Sequence, residues 1–218
     1  MKKLLVAAVI AVCALGSAAA ERVSVKGLNL SFPYCTKSIT VDDDDVDGKV
    51  DLNSFGYGIN YQSMSAGSGN WGFSSIFGVG LGAVNAELGS DDAILSKPDF
   101  TGGNFNLKWG WGIAPVSNER VVLGIHGMIG FDFFYGTTTI NSADAYLLDF
   151  DFWIGADCLC AIKLSGNFAL TAGLDLVSNF YGAGGFGVEG NLLSDSWSFS
   201  YTASGITAIP RVGISWVF

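Results

Sequence analysis

Apolar and small polar residues alternate with a period of two through most of the chain. In 53–64 the odd positions hold Phe55, Tyr57, Ile59 and Tyr61, and the even ones Gly56, Gly58, Asn60 and Gln62. In 71–83, Trp71, Phe73, Phe77, Val79 and Leu81 oppose Gly72, Ser74, Gly78, Gly80 and Gly82. The same pattern runs through 104–113, 121–135, 145–160, 168–177 and the C-terminal stretch with Val212, Ile214, Trp216 and Phe218. Alternation of this kind marks two-faced β-strands. An eighth strand lies at Val23–Phe32, where the apolar phase slips at Gly27 and predicts a β-bulge. No segment sustains a helical period.

A soluble sandwich would put Lys, Glu and Thr on its polar face. Here that face is mostly Gly, Ser, Asn and Asp, and the other is dense in Trp, Phe and Tyr. An apolar outside around a small, polar inside is what lipid requires, because lipid satisfies no backbone group. The pattern predicts an all-β fold: an eight-stranded antiparallel transmembrane β-barrel, an up-and-down meander. Connections at 65–70, 115–120 and 164–167 are short, and those at 34–52, 84–103, 136–144 and 178–205 are longer. Short turns on one rim and long loops on the other place the long loops outside the cell and both termini in the periplasm.

Residues 1–20 read as a cleaved signal peptide: Lys2 and Lys3, an apolar run from Leu4 to Leu15, then Ala18-Ala19-Ala20. Residues 21–218 form the barrel domain. Without Lys2 and Lys3, nine basic residues face twenty acidic ones, a charge of −11. That balance argues against a nucleic-acid partner. Cys158 and Cys160 share an outward strand face, and Cys35 falls in the first long loop at the opposite rim, so no bridge between them is expected.

The alternation sends Lys108, His126, Asp132, Asp149, Asp151, Asp157, Asp175 and Arg211 into the lumen. Eight strands leave an interior just wide enough for side chains. A plug of paired charges and a narrow or gated path both fit. Five carboxylates against two fixed cations leave an excess that burial would penalise. No nucleophile–base pair is legible around His126, the only histidine, so no enzyme is expected. Two aromatic girdles are expected, with Trp71, Trp111 and Trp216 toward the periplasm and Phe55, Phe133, Tyr135 and Tyr146 toward the outside.

The stretch "DDDDVDGKVD" from Asp42 to Asp51 fits the front half of a calcium loop, with Asp43, Asp45, Asp47 and Asp51 as ligands. Position twelve is Ser54 instead of Glu. The expectation is a solvated acidic loop, with weak calcium affinity of roughly 10⁻⁴ to 10⁻³ M as the alternative. No other cofactor is indicated.

The final strand, "PRVGISWVF", ends in an aromatic carboxy-terminal residue. The whole mature chain resembles small eight-stranded bacterial outer-membrane proteins of the OmpW, OmpX and OmpA-barrel kind, and its acidic loops resemble spirochaete members. The resemblance implies an outer-membrane location, lipid and the barrel-assembly machinery as partners, and Trp216 and Phe218 as the assembly signal. It further implies a minor channel or diffusion pathway for small or apolar solutes. A surface-binding or structural barrel, acting through its loops on a host or envelope ligand, is the alternative.

Overall fold

The computed structural model describes residues 22–43, 46–67, 69, 71–90, 98–118, 120–140, 142–188 and 197–218, so the expected signal peptide lies outside the described residues. Nine strand segments occur in order: β1 (Arg22–Ser31), β2 (Tyr34–Asp43), β3 (Val46–Gly67), β4 (Gly72–Ser90), β5 (Asp99–Ser117), β6 (Val121–Ile140), β7 (Ala143–Ser165), β8 (Phe168–Val188) and β9 (Trp197–Val217). Both β1 and β2 pair with β3 on one side and β9 on the other. They are two halves of one stave, parted at Phe32-Pro33, where proline has no N–H to give the ladder. The ladder bridges the gap: Phe32 N–H donates to the Pro210 carbonyl at 3.0 Å, and Gly56 N–H to the Pro33 carbonyl at 2.9 Å. The remaining neighbours pair antiparallel in sequence order. The result is a closed ring of eight staves, with every stave paired on both sides. Ser24 and Phe218 exchange two backbone bonds of 2.9 Å at the closing seam.

The staves β3 to β9 are 19 to 23 residues long. A transmembrane strand needs only about 9–11. At ~3.3 Å per residue and a tilt near 40°, about 20 residues reach roughly 50 Å, twice the ~25 Å apolar band of such barrels.

The extra length follows a second pattern. Through the apolar band β3 points Tyr57, Ile59 and Tyr61 outward and Asn60 and Gln62 inward. Beyond Phe55 the faces exchange character: Asp51 and Asn53 point outward and Leu52 is buried inside. On β4, Asn85 turns out and Val84 and Ala86 turn in. Outside this upper section, polar side chains join neighbouring staves: Thr36 Oγ1 donates to Asn53 Oδ1 at 3.0 Å and Thr101 Oγ1 to Asn85 Oδ1 at 2.8 Å. Inside it, Ile39, Leu52, Val84, Phe100, Phe134 and Leu147 form a buried apolar cluster. On these staves the wall therefore changes from lipid-compatible to water-compatible partway along its length.

Several expectations are corrected. Most of 34–52, 84–103, 136–144 and 178–205 is strand, not loop. Cys35 lies in β2 and is buried facing inward. At Gly27 there is no bulge, since β1 keeps one register with β3 from Arg22↔Gly67 to Ser31↔Gly58. The slip there is another exchange of faces. Val25 packs inward on a second apolar cluster with Met64, Ile76, Val122 and Leu159 near the terminus-bearing rim, whereas Leu28 and Leu30 face out. Register shifts do occur at 113–116, 152–153, 163–165 and 179–182.

Candidate functional site

The polar lumen lies between the two apolar clusters in two ionic layers. Seven of the residues expected there, Lys108, His126, Asp149, Asp151, Asp157, Asp175 and Arg211, are buried inside the ring. Asp132, partly accessible, lines the same interior. A further cation joins them from 34–52, the stretch expected to be loop. Lys37, on β2, is 2 % exposed and crosses the lumen to β7. Its Nζ bonds Asp149 Oδ2 at 2.5 Å and also Asp151 Oδ2, which Asn179 Nδ2 donates to at 2.8 Å. The alternation from Cys35 through Lys37 to Ile39 would have placed it inward, had the stave been carried past Pro33.

In the layer nearer the termini, Arg211 on β9 is the hub. Its guanidinium bonds Asp157, Gln62 Oε1 and, at 2.7 Å, Asp175 Oδ1. Lys108 Nζ holds the other oxygen of Asp175 at 2.5 Å. Five carboxylates thus meet three fixed cations. The excess inferred from sequence shrinks by one because Lys37 belongs to the lumen. Charge-assisted bonds satisfy most of the buried ions, the condition under which burial is tolerated.

Asp157 also receives His126. Nδ1 of His126 lies 2.8 Å from Asp157 Oδ1, and its Nε2 lies 2.8 Å from Ser74 Oγ. Ser74, His126 and Asp157 therefore stand in the order of a nucleophile, a base and an orienting carboxylate. This corrects the expectation that no nucleophile–base pair is present. Ser74 sits on β4, 52 residues from His126, and only the barrel's closure brings them together. Access is what the arrangement lacks. Ser74, His126 and Asp157 are each no more than 1 % exposed. Ser74 Oγ also reaches the Ser65 carbonyl at 3.3 Å. Through these buried contacts the trio ties β4, β6 and β7 together.

Among the described residues, a cavity of about 60 Å³ lies at the upper layer, lined by Lys37, Asp132, Asp149, Asp151, Asn179 and Thr207 among others. That is room for a water molecule or two. Gly80 shows how tightly the wall is used: a Cβ there would lie 1.7 Å from Asn60 Oδ1.

The described part of the acidic stretch is strand backbone. Asp43 ends β2 and Asp47 lies in β3 opposite Asp42. Asp51 faces outward and accepts from Ser38 Oγ at 2.5 Å. Asp45 lies outside the described residues. Among the described residues no group of three or more His, Cys, Asp or Glu is placed to hold a metal ion.

On the outside, Phe105, Phe131, Phe150, Phe152 and Tyr181 form a belt of rings with centroids 4.9 to 6.4 Å apart. Trp111 and Trp216 are exposed on the same outer surface. Among the described residues no helix is long and apolar enough to cross a membrane.

No protein-family model and no curated protein matches the chain. Solved structures do. The outer membrane protein OprG from Pseudomonas aeruginosa superposes with a TM-score of 0.61 at 9% identity, covering 91% of this chain and 96% of that one. A major outer membrane protein from Thermus thermophilus gives 0.55 at 12% identity, covering 87% and 99%. The outer membrane protease OmpT from Escherichia coli gives 0.53 at 6%, covering 91% and 97%. At such identities the shared property is the path of the backbone. A closed meander, an aromatic-belted apolar band and these superpositions agree: the chain has the fold of the small bacterial outer-membrane β-barrels.

Proposed function

We propose that this protein is an outer-membrane barrel whose lumen is closed at rest and whose work is done by the wall that projects above the membrane. The observation that carries this reading is the filled interior: two ionic layers and two apolar clusters occupy the space a channel would need. That reverses the order of the two functions drawn from sequence. The upper half of the staves is polar outside and apolar inside, the construction of a rigid soluble barrel. It offers Asp51, Glu87, Asp99 and Asp144 on its outer side and suits a binding or structural role toward a host or envelope ligand. In this reading the barrel-assembly machinery inserts it with both termini periplasmic. Refolded protein in planar bilayers is expected to stay silent over many insertions. Reproducible conductance steps from the wild type would overturn the closed lumen.

A gated path is the second reading. It is favoured by the buried atoms Asn29 Nδ2, Asn60 Oδ1, Arg211 Nε and Ser215 Oγ, which find no hydrogen-bond partner among the described residues. Internal water serves such groups. Under this reading Lys37→Ala opens steps that the wild type lacks. Continued silence of that variant excludes Lys37 as a gate.

A further inference from the structure

We infer that the lipid face between β1 and β4 is a binding site for one anionic phospholipid of the leaflet at the terminus-bearing rim. The inference rests on the membrane reading above and adds a specific occupant.

Two independent features meet there. The first is a groove of about 880 Å³ in the outer wall, lined by Leu28 and Leu30 of β1, Tyr57 and Ile59 of β3, and Val79 and Leu81 of β4, among others. Its walls are almost wholly apolar. From Leu28 to Phe32 it runs about 13 Å along the stave, close to half of a roughly 25 Å apolar band. Acyl chains of a single leaflet fill that depth.

The second is a polar patch at the groove's lower end. Lys26 is exposed beside Leu28 and registers directly with Ser63 of β3. Next to them Ser24, Ser65 and Ser75 register across β1, β3 and β4 on the same outward face. Tryptophans bracket the patch: Trp216 of β9 is the register partner of Lys26, and Trp111 of β5 that of Ser75. Tryptophan marks the headgroup level of a bilayer. Among the described residues no carboxylate forms an ion pair with Lys26. A cation flanked by hydroxyl donors at headgroup depth is complementary to a phosphate. An apolar groove leading from it toward the bilayer centre is complementary to the attached chains. A second copy of this chain would meet the same groove but would leave Lys26 facing no anion.

The test is native mass spectrometry of the folded full-length barrel, released from bilayers of phosphatidylcholine doped with phosphatidylglycerol. One phosphatidylglycerol is expected to stay with the wild type under conditions that strip phosphatidylcholine. Lys26→Gln should lower its retention about fivefold, the effect of one basic residue near an anionic surface. Val79→Trp, which fills the groove and keeps the charge, should lower retention of both lipids. Lys163→Gln, which removes a cation elsewhere on the same rim, should leave it unchanged. Equal retention by Lys26→Gln and wild type, or an equal fall in Lys163→Gln, refutes the site. A dimer peak lost in Val79→Trp would assign the groove to a second copy instead. Each variant is first checked for a folded band that shifts on boiling. A wild type with no such band would sink the membrane reading itself, a result separable from loss of lipid.

Discussion

Replacing Lys37 probes the proposed closed lumen directly. In Lys37→Met the side chain keeps its approximate volume but loses the ammonium that Asp149 and Asp151 share. All three residues are buried, with the Lys37 side chain 1 % exposed and the two aspartate side chains 11 % and 6 %. Removing one partner of a buried ion pair typically costs about 3–5 kcal/mol, because the charge left behind stays out of water. Whole domains are stable by only about 5–15 kcal/mol, so the change should be plain in an equilibrium unfolding curve. Tryptophan fluorescence against urea, in lipid vesicles, should show the midpoint fall with little change in slope, since the same surface is exposed. The sharper half is the compensated variant. Lys37→Met combined with Asp149→Asn and Asp151→Asn removes the charges together and should recover most of the loss, because neutral groups are far cheaper to bury. If Lys37→Met lies within about 0.5 kcal/mol of wild type, Lys37 does not carry the structural weight its burial implies. If the triple variant is worse than the single one, the clasp is net stabilising and the argument from desolvation fails.

Other outcomes follow from the same geometry. Ser74→Ala should cost about 1–3 kcal/mol through a half-emptied buried hydrogen-bond network; a fluorophosphonate probe should not label Ser74 in the folded barrel, and labelling abolished by His126→Ala would make the trio a working nucleophile. Gly27→Val should block folding, since even a Cβ there lies 2.3 Å from the Ile214 carbonyl at the closing seam; a boil-shifted folded band at wild-type yield would contradict that. Calorimetry should find no saturable calcium binding tighter than roughly millimolar, with Asp45→Asn no different from Asp42→Asn; a micromolar site lost only in Asp45→Asn would restore the calcium loop.

Period-two alternation determined the barrel by itself. Residues such as Tyr57, Ile59 and Tyr61 against Asn60 and Gln62 leave one way to satisfy lipid outside and backbone inside, so fold class, strand count and the inward set from Lys108 to Arg211 were legible. Stave length is carried by the same alternation under a changed rule. The alternation does not stop at Phe55 or Ala83; its faces trade character as the wall leaves the apolar band, and an apolar-out rule ends each strand too soon. The same exchange at the other rim made Gly27 look like a bulge. What only the tertiary structure decided is who meets whom across the lumen. Lys37 reaches Asp149 over 112 residues, Arg211 reaches Asp157 over 54, and His126 finds Ser74 over 52. Those meetings depend on the shear of the closed ring, a property of all eight staves together. No single strand's pattern carries it, because alternation fixes the face on which a side chain stands and leaves open its height against the opposite wall.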